Sequence, residues 1–298
     1  MDVREMKKIL ITGASGFTGR HACEYYTKKG YDVYGLVHSQ SLSSKQIQSI
    51  HCDLFDIEGL IEVLKVVKPR FILHLAAQNH SGRSWEDPVS TINTNVIGTM
   101  NLLEAVKKSV PDATLLIVGS VIEYNPCHSS LPNHPYGLSK YIQTLLTLCW
   151  STFYDLDIRI AKSSNLIGPG HSTGICSLLA QKCLQYRDDK SISFHFHNVL
   201  DNRDFVDVRD AVEAYDIILQ RGEKNESYIV SSGKNYRFLK VAKELKSISQ
   251  SDLPLTTDHF YPTADIRHEH TKLCELDWKP KHSLQNSLKD IIDYYVRG

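Results

Sequence analysis

Gly13-Ala14-Ser15-Gly16-Phe17-Thr18-Gly19 stands between a short apolar run, residues 9–12, and a helical pattern over residues 17–29 that Gly30 stops. Few arrangements fit three glycines at this spacing. A chain that leaves a buried strand and enters a helix this abruptly needs Gly13 for the tight turn. Gly16 lets the backbone approach a pyrophosphate, and Gly19 lets the helix pack closely on the sheet. The helix then presents free N–H groups and its positive dipole end to the same point. Gly13, Ser15, Gly16, Phe17, Thr18 and Gly19 are therefore candidate dinucleotide-binding residues.

Strands and helices alternate from there. Residues 33–37 read as a strand, and a third strand precedes Asp53. Ile57, Leu60, Ile61, Leu64 and Val67 follow helical spacing until Pro69 ends them. Residues 71–77, 115–119 and 158–161 read as buried strands, with helices over 95–106 and 136–150 between them. This alternation implies parallel pairing. After Asn165 it breaks into short helices (175–186, 211–221, 239–247, 284–296) and brief strands (192–196, 228–230). The expected fold is α/β: a Rossmann-type doubly wound parallel sheet over residues 1–165, with a returning segment near 198–222. Residues 166–298 are expected to form mainly a smaller, interleaved substrate-binding cap.

Bulk properties narrow the setting. Over 298 residues the formal net charge is zero, which gives no electrostatic case for nucleic acid or a membrane surface. Seven cysteines, an odd number without a CxxC pair, suit reduced thiols in the cytoplasm. Residues 1–8 are charged and lack a signal-peptide core, and the apolar stretch at 115–118 is far too short to span a bilayer. A cytoplasmic protein is expected.

Tyr136-Gly137-Leu138-Ser139-Lys140 places a phenol and an ammonium four residues apart, on one helix face. A free phenol titrates near 10, so a nearby cation is needed to lower it for proton transfer near neutrality. Ser120 ends the fifth strand at the carboxyl edge of the sheet, where ligands of such folds bind. Its hydroxyl can polarise the carbonyl that Tyr136 protonates. At the end of the second strand, Val37-His38-Ser39 holds no carboxylate to read a ribose 2′-OH. His38 and Ser39 can donate to a 2′-phosphate, which favours NADP(H); alternatively His38 is a plain surface residue.

GxxGxxG, Asn95, Ser120, Tyr136 and Lys140, in that order, resemble the extended short-chain dehydrogenase/reductase (NAD-dependent epimerase/dehydratase) family. The resemblance implies that Asp53 and Leu54 contact adenine, that Leu75, Ala76 and Ala77 run beside the cofactor, and that Lys140 also binds it. Gln78, residues 84–88, 95–99, 165–170, 203–210 and 278–280 look like family members acting on nucleotide-diphosphate sugars. It further implies an NADPH-dependent 4-ketoreductase acting on a 4-keto-6-deoxyhexose, GDP-linked by preference, with Gln78, Asn165, Lys182 and Arg203 as substrate contacts. Arg203 can instead pair with Asp204 or Asp207. Related dehydratases carry an acid and a base directly after the residue matching Ser120, where this chain has Val121 and Ile122. Glu123 follows, on a strand face expected to alternate away from Ile122. A C4 epimerase retaining NAD uses the same Ser/Tyr/Lys set, and a non-catalytic dinucleotide sensor would keep the fold. The 136–150 helix is apolar over more than one stripe, so a homodimer through it and the 95–106 helix is expected. His268, Glu269, His270 and Cys274 read as surface residues, with no metal.

Overall fold

In the computed structural model, which describes residues 7–38, 42, 44, 46–127, 130–263 and 266–297, β1 (Lys8–Thr12) leads through the glycine turn into α1 (Phe17–Lys28). Ile9, Leu10 and Ile11 are fully buried, as a strand covered by helices on both sheet faces must be. The chain continues through β2 (Asp32–Val37), β3 (Ile47–His51), α2 (Ile57–Val67), β4 (Phe71–His74), α3 (Ser81–Glu86) and α4 (Pro88–Ile92). A π-helical turn, Asn93–Ile97, joins α4 to α5 (Gly98–Ser109) without a break. Then come β5 (Thr114–Ser120), α6 (Pro135–Tyr154), β6 (Ile158–Ser163), β7 (Asn165–Ile167), α7 (Ile175–Gln185), β8 (Phe194–Asn198), β9 (Asn202–Asp207) and α8 (Val208–Arg221). The last elements are β10 (Ser227–Val230), β11 (Asn235–Arg237), α9 (Phe238–Ser249), β12 (Leu255–His259), α10 (Thr271–Glu275) and α11 (Leu284–Arg297).

Two compact units result: residues 1–162 with 214–228, and residues 163–213 with 229–298. The returning stretch is thus 214–228, where the sequence reading drew it near 198–222. The first unit is built on a seven-stranded sheet of order β10-β6-β5-β4-β1-β2-β3, with parallel pairing along β3-β2-β1-β4-β5. This is the doubly wound Rossmann-type arrangement, whose strand order reverses beside β1. Leu60, Ile61 and Leu64 of α2 and Leu102, Leu103 and Val106 of α5 meet Leu10, Ile72 and Leu115 in one buried cluster. In the second unit, α7, α9 and α11 enclose a core that includes Leu179, Cys183, Val241, Leu245, Leu288 and Ile291. It also holds a three-stranded sheet, β11-β9-β7, and a two-stranded one, β12-β8. Among the described residues no helix is long and apolar enough to cross a membrane.

Three local features depart from the sequence expectation. β4 stops at His74 rather than near residue 77, because Leu75 N and Ala76 N turn onto the Thr12 hydroxyl, each at 3.2 Å. Helical winding begins at Pro88 rather than Asn95: Asp87 caps Ser90 N at 2.9 Å and Pro88 sits at the first helical position, a favourable helix start. α6 is also inverted relative to an ordinary surface helix. Its buried face carries Ser139, Lys140, Gln143, Thr144, Thr147 and Ser151, while Leu145 is exposed and Leu138, Tyr141, Ile142, Leu146, Leu148 and Cys149 are only partly covered.

Candidate active site

The glycine turn has the shape its sequence calls for. Gly13 adopts φ +65°, and a Cβ there would lie 2.8 Å from Ala76 N. A Cβ on Gly19 would lie 2.2 Å from Gly13 O and 2.7 Å from Ala14 Cα and O. Gly16 differs, since an added Cβ would meet only Gly13 O, at 3.2 Å. Gly16 caps α1 with extended backbone and no side-chain hydrogen bond, so the first N–H groups at Phe17 and Thr18 face outward without a capping side chain. An anionic phosphate fits this cradle. Arg20, which the sequence reading passed over, donates from Nε to Ser15 O at 2.9 Å, setting a cation on the turn.

At the neighbouring strand ends, His38 Nε2 lies 3.3 Å from Asp53 Oδ2, with both side chains well exposed. Separate in sequence, these two residues are brought together by the parallel pairing of β2 with β3. Asp53 also accepts from Phe55 N at 2.9 Å. Leu54 packs near Gly98, and its carbonyl accepts from Asn101. Ser39 lies outside the described residues. Leu75, Ala76 and Ala77 run past the turn at the end of β4.

Ser120, Tyr136 and Lys140 come together at the carboxyl end of β5. They are buried, at 8%, 5% and 3% exposure, and Ser120 shares a hydrogen bond with the Tyr136 phenol. α6 starts here because His134 caps it, its Nδ1 accepting from Gly137 N at 2.7 Å, with Pro135 at the first turn. Tyr136 N donates to Ser84 Oγ at 3.1 Å. Burial pushes the Tyr136 phenol up to about 12; the Ser120 hydrogen bond draws it down and Glu123 adds to the rise. The expectation that a cation lowers this phenol is therefore corrected. Lys140 Nζ donates to Val118 O at 2.9 Å and Gln143 Oε1 at 2.8 Å, so desolvation decides the phenol's proton affinity. Burial likewise pulls Lys140 down to about 8, with Glu123 opposing.

A buried polar network supports this set. Asn95 accepts from Gln78 N at 2.8 Å and donates to Gln78 O and Ser139 Oγ, both at 2.9 Å. All of its side-chain capacity toward these elements is engaged, so it acts as a clamp. Gln143 Nε2 donates to Thr99 Oγ1 at 2.8 Å, and Thr99 donates to Asn95 O. His74 Nε2 must then be the donor in its 3.0 Å contact with Thr99, leaving Nδ1 to accept from Thr12. Burial depresses His74 to about 3, so its ring is neutral. Glu123 corrects the alternation argument. β5 ends at Ser120, and residues 121–123 form a turn in which Glu123 N donates to Ser120 O. Its carboxylate accepts from Thr144 at 2.8 Å and pairs with Lys162 at 2.6 Å. The available signal was Thr144 at i+4 from Lys140, continuing the catalytic face by one turn.

The proposed substrate contacts are placed as follows. Gln78, in the first unit, has its amide on His80 and Thr91. In the second unit Asn165 Nδ2 donates to Asp204 O at 2.8 Å, and β7 runs beside β9, which carries Arg203. Arg203 pairs with Asp201, rather than with Asp204 or Asp207. Asp204 is engaged by Ser164, Ser232 and Lys234, and Asp207 by Arg209 and Ser287. Lys182 is exposed on α7. Among the described residues no three His, Cys, Asp or Glu side chains gather as metal ligands would.

Residues 9–231 match the family model described as "NAD dependent epimerase/dehydratase family". The chain is 27% identical to GDP-6-deoxy-D-mannose reductase of Pseudomonas aeruginosa, over 96% of each protein. Among solved structures it resembles UDP-glucose 4-epimerase of Thermotoga maritima with UDP-glucose (TM-score 0.84, 24% identity, 97% of this chain and 99% of that one). It also resembles RMD from Pseudomonas aeruginosa complexed with NADPH (TM-score 0.81, 24% identity, 98% of this chain and 100% of that one).

Proposed function

Since the chain belongs to the NAD dependent epimerase/dehydratase family, we propose that it is an NADPH-dependent reductase of the 4-keto group of a nucleotide-diphosphate 4-keto-6-deoxyhexose, GDP-linked by preference. One observation carries the reading: a buried Ser120–Tyr136 pair lies at the end of β5 beside Lys140 and, among the described residues, the turn after Ser120 offers it no free carboxylate. Val121 and Ile122 are aliphatic, and both oxygens of Glu123 are engaged by Thr144 and Lys162. Abstraction of a sugar C–H proton, which a dehydratase requires, therefore lacks a base in this turn.

Reduction needs less. When bound, the reduced nicotinamide supplies a hydride to C4. Ser120 and Tyr136 donate hydrogen bonds to the carbonyl oxygen, and the phenolic proton passes to that oxygen as negative charge develops there. A phenol pushed up to about 12 is protonated across neutral pH, the form this step consumes. The Lys140 ammonium, held on Val118 O and Gln143 Oε1, keeps a positive charge in the site and would contact the dinucleotide. The outward N–H groups of the Gly13–Gly19 turn would hold the pyrophosphate, and His38 with Ser39 would favour a 2′-phosphate. Leu54, Leu75, Ala76 and Ala77 would line the dinucleotide. Gln78, Asn165, Lys182 and Arg203 are the proposed contacts to the sugar nucleotide, Arg203 by a bidentate fork on phosphate. The likeness to GDP-6-deoxy-D-mannose reductase over nearly the whole chain supports the guanine preference.

The test is NADPH oxidation across GDP-, dTDP-, UDP- and CDP-4-keto-6-deoxy sugars. Oxidation with the GDP sugar supports the full reading, and oxidation with another base alone keeps the reductase and removes the guanine preference. Interconversion of a nucleotide hexose with its C4 epimer, without net NADPH consumption, would replace the reading with an epimerase.

A further inference from the structure

We infer that Glu123 is a positioning residue of this site: clamped by Lys162 and by Thr144, one helical turn beyond Lys140 on the buried face of α6, it sets a fixed negative charge beside the Tyr136–Lys140 pair. The inference rests on reading Tyr136 and Lys140 as the proton-handling pair, and it adds what sets their charge.

The geometry is specific. Ser120 ends β5, and the turn that follows returns Glu123 N to Ser120 O at 3.2 Å and Ile122 N to Ser120 Oγ at 3.3 Å. This directs the Glu123 side chain inward, where it is 9% exposed. Thr144 stands at i+4 from Lys140 on the buried face of α6 and donates to Oε2 at 2.8 Å. Lys162, near the end of β6, reaches Oε1 at 2.6 Å. Taking two charges out of water costs several kcal/mol each, and apolar residues of similar volume often stabilise a fold as well or better. The Glu123–Lys162 pair is only partly buried, Lys162 being 26% exposed, so it contributes little as a structural staple. It is well explained as a charge placed for its neighbours.

Those neighbours can be named. Among the described residues, the titratable groups facing Lys140 are Tyr136 on its own helix, His74 on β4 and Glu123 on the turn after β5, with Lys162 paired to Glu123. His74 is neutral, as burial holds it near 3. That leaves Glu123 as the anion of the group. Its field raises the proton affinity of the phenol and of the ammonium together, opposing the desolvation that would otherwise discharge Lys140. The state so favoured, neutral phenol beside charged amine, is the one from which a proton can be donated to a carbonyl oxygen. Lys162 moderates the effect by neutralising part of the Glu123 field.

The two ends of the ion pair should therefore move Lys140 in opposite directions, which a packing role would not do. The Lys140 resonance in protein labelled with [ε-13C]lysine can be assigned from its loss in Lys140→Met and titrated without substrate. The parent midpoint is expected near 8. Glu123→Gln, which keeps the shape and the Thr144 hydrogen bond, should lower it. Lys162→Met should raise it. An unchanged midpoint in Glu123→Gln, or shifts of the same sign in both variants, overturns the inference. Should Glu123→Gln fail to fold, an unchanged or lowered midpoint in Lys162→Met overturns it alone. If the midpoints move as expected and no keto sugar is reduced, Glu123 keeps its role and the proposed reaction falls.

Discussion

Gly16 and Gly19 lie three residues apart in the same turn, yet their replacement by alanine should fail in different ways. At Gly19 the new methyl would sit 2.2 Å from Gly13 O and 2.7 Å from Ala14 Cα and O, all backbone atoms, where ordinary contact begins near 3.4 Å. No side chain can rotate away, so α1 must move off the sheet by about 1 Å, loosening Ala22, Cys23 and Tyr26, which it buries. Overpacking of this kind costs about 1–3 kcal/mol and occasionally more. With three backbone clashes the upper end applies, and at roughly 2–4 °C per kcal/mol for domains near this size the melting temperature should fall by about 6–12 °C. At Gly16 the methyl meets one atom, Gly13 O at 3.2 Å, and the backbone is already extended. Gly16→Ala at this cap position should cost about 1 kcal/mol or less, but the methyl stands where the backbone must approach phosphate. The assays are thermal melts of the ligand-free protein and fluorescence titration with NADPH. Gly19→Ala should lose both stability and binding, whereas Gly16→Ala should melt within about 4 °C of the parent and bind NADPH more weakly. A Gly19→Ala protein that melts with the parent, or a Gly16→Ala protein that is the less stable of the two, refutes the reasoning.

Other outcomes follow from the same geometry. Tyr136→Phe should lower kcat by about 10²–10⁴-fold while leaving the NADPH dissociation constant near that of the parent; comparable turnover would remove the assigned role. Lys140 loses its charge as pH rises through about 8, so kcat should fall on that alkaline limb, and a flat profile from pH 7 to 10 would contradict it. The lowering of Lys140 from 10.5 to about 8 also means the folded chain releases a proton there that the unfolded chain keeps. Stability relative to Lys140→Met should therefore rise with pH across that window, by up to about 3 kcal/mol at ~1.4 kcal/mol per unit, measured by urea unfolding at both ends. NADPH should be used in preference to NADH, and His38→Glu should narrow or reverse the ratio of kcat/KM values; a parent that prefers NADH would make His38 a surface residue and no more. Light scattering should give a dimer mass, because α6 leaves Leu138, Tyr141, Leu145 and Leu148 incompletely covered; a monomer at assay concentration counts against it.

What the sequence revealed, and what it hid, divides by distance along the chain. The glycine turn is local: strand, three glycines and helix lie between Lys8 and Lys28, and the steric reason for Gly19 is written in its neighbours, whereas Gly13 also meets the distant Ala76 backbone. Tyr136 and Lys140 are legible because i and i+4 share a helix face. The Glu123–Lys162 pair joins residues far apart in sequence, and the reading of Glu123 failed because strand alternation was carried past Ser120, where β5 ends. Thr144, Gln143 and Thr99 look like ordinary helix residues until the inverted burial of α6 is known. Arg203 was open to two aspartates by spacing, yet it took Asp201 because Asp204 and Asp207 are engaged elsewhere. Competition for partners is a property of the folded chain.

The π turn at Asn93–Ile97 bears on how this segment tolerates insertion and deletion. A π turn is an α-helix that has absorbed one extra residue, so the α4–α5 segment contains slack. Removing one residue there would let the backbone settle into regular α winding with its helicity intact. The flanks would keep their register, since the wide turn had absorbed the extra residue, but side chains inside the turn would be displaced by one position, about 100° of helical rotation. Asn95 would swing away from Gln78 and Ser139, and the strand end and catalytic helix that it ties together would part. Such a variant would pass as native by circular dichroism while having lost its active site, so this helix is forgiving in secondary structure and unforgiving in the placement of Asn95.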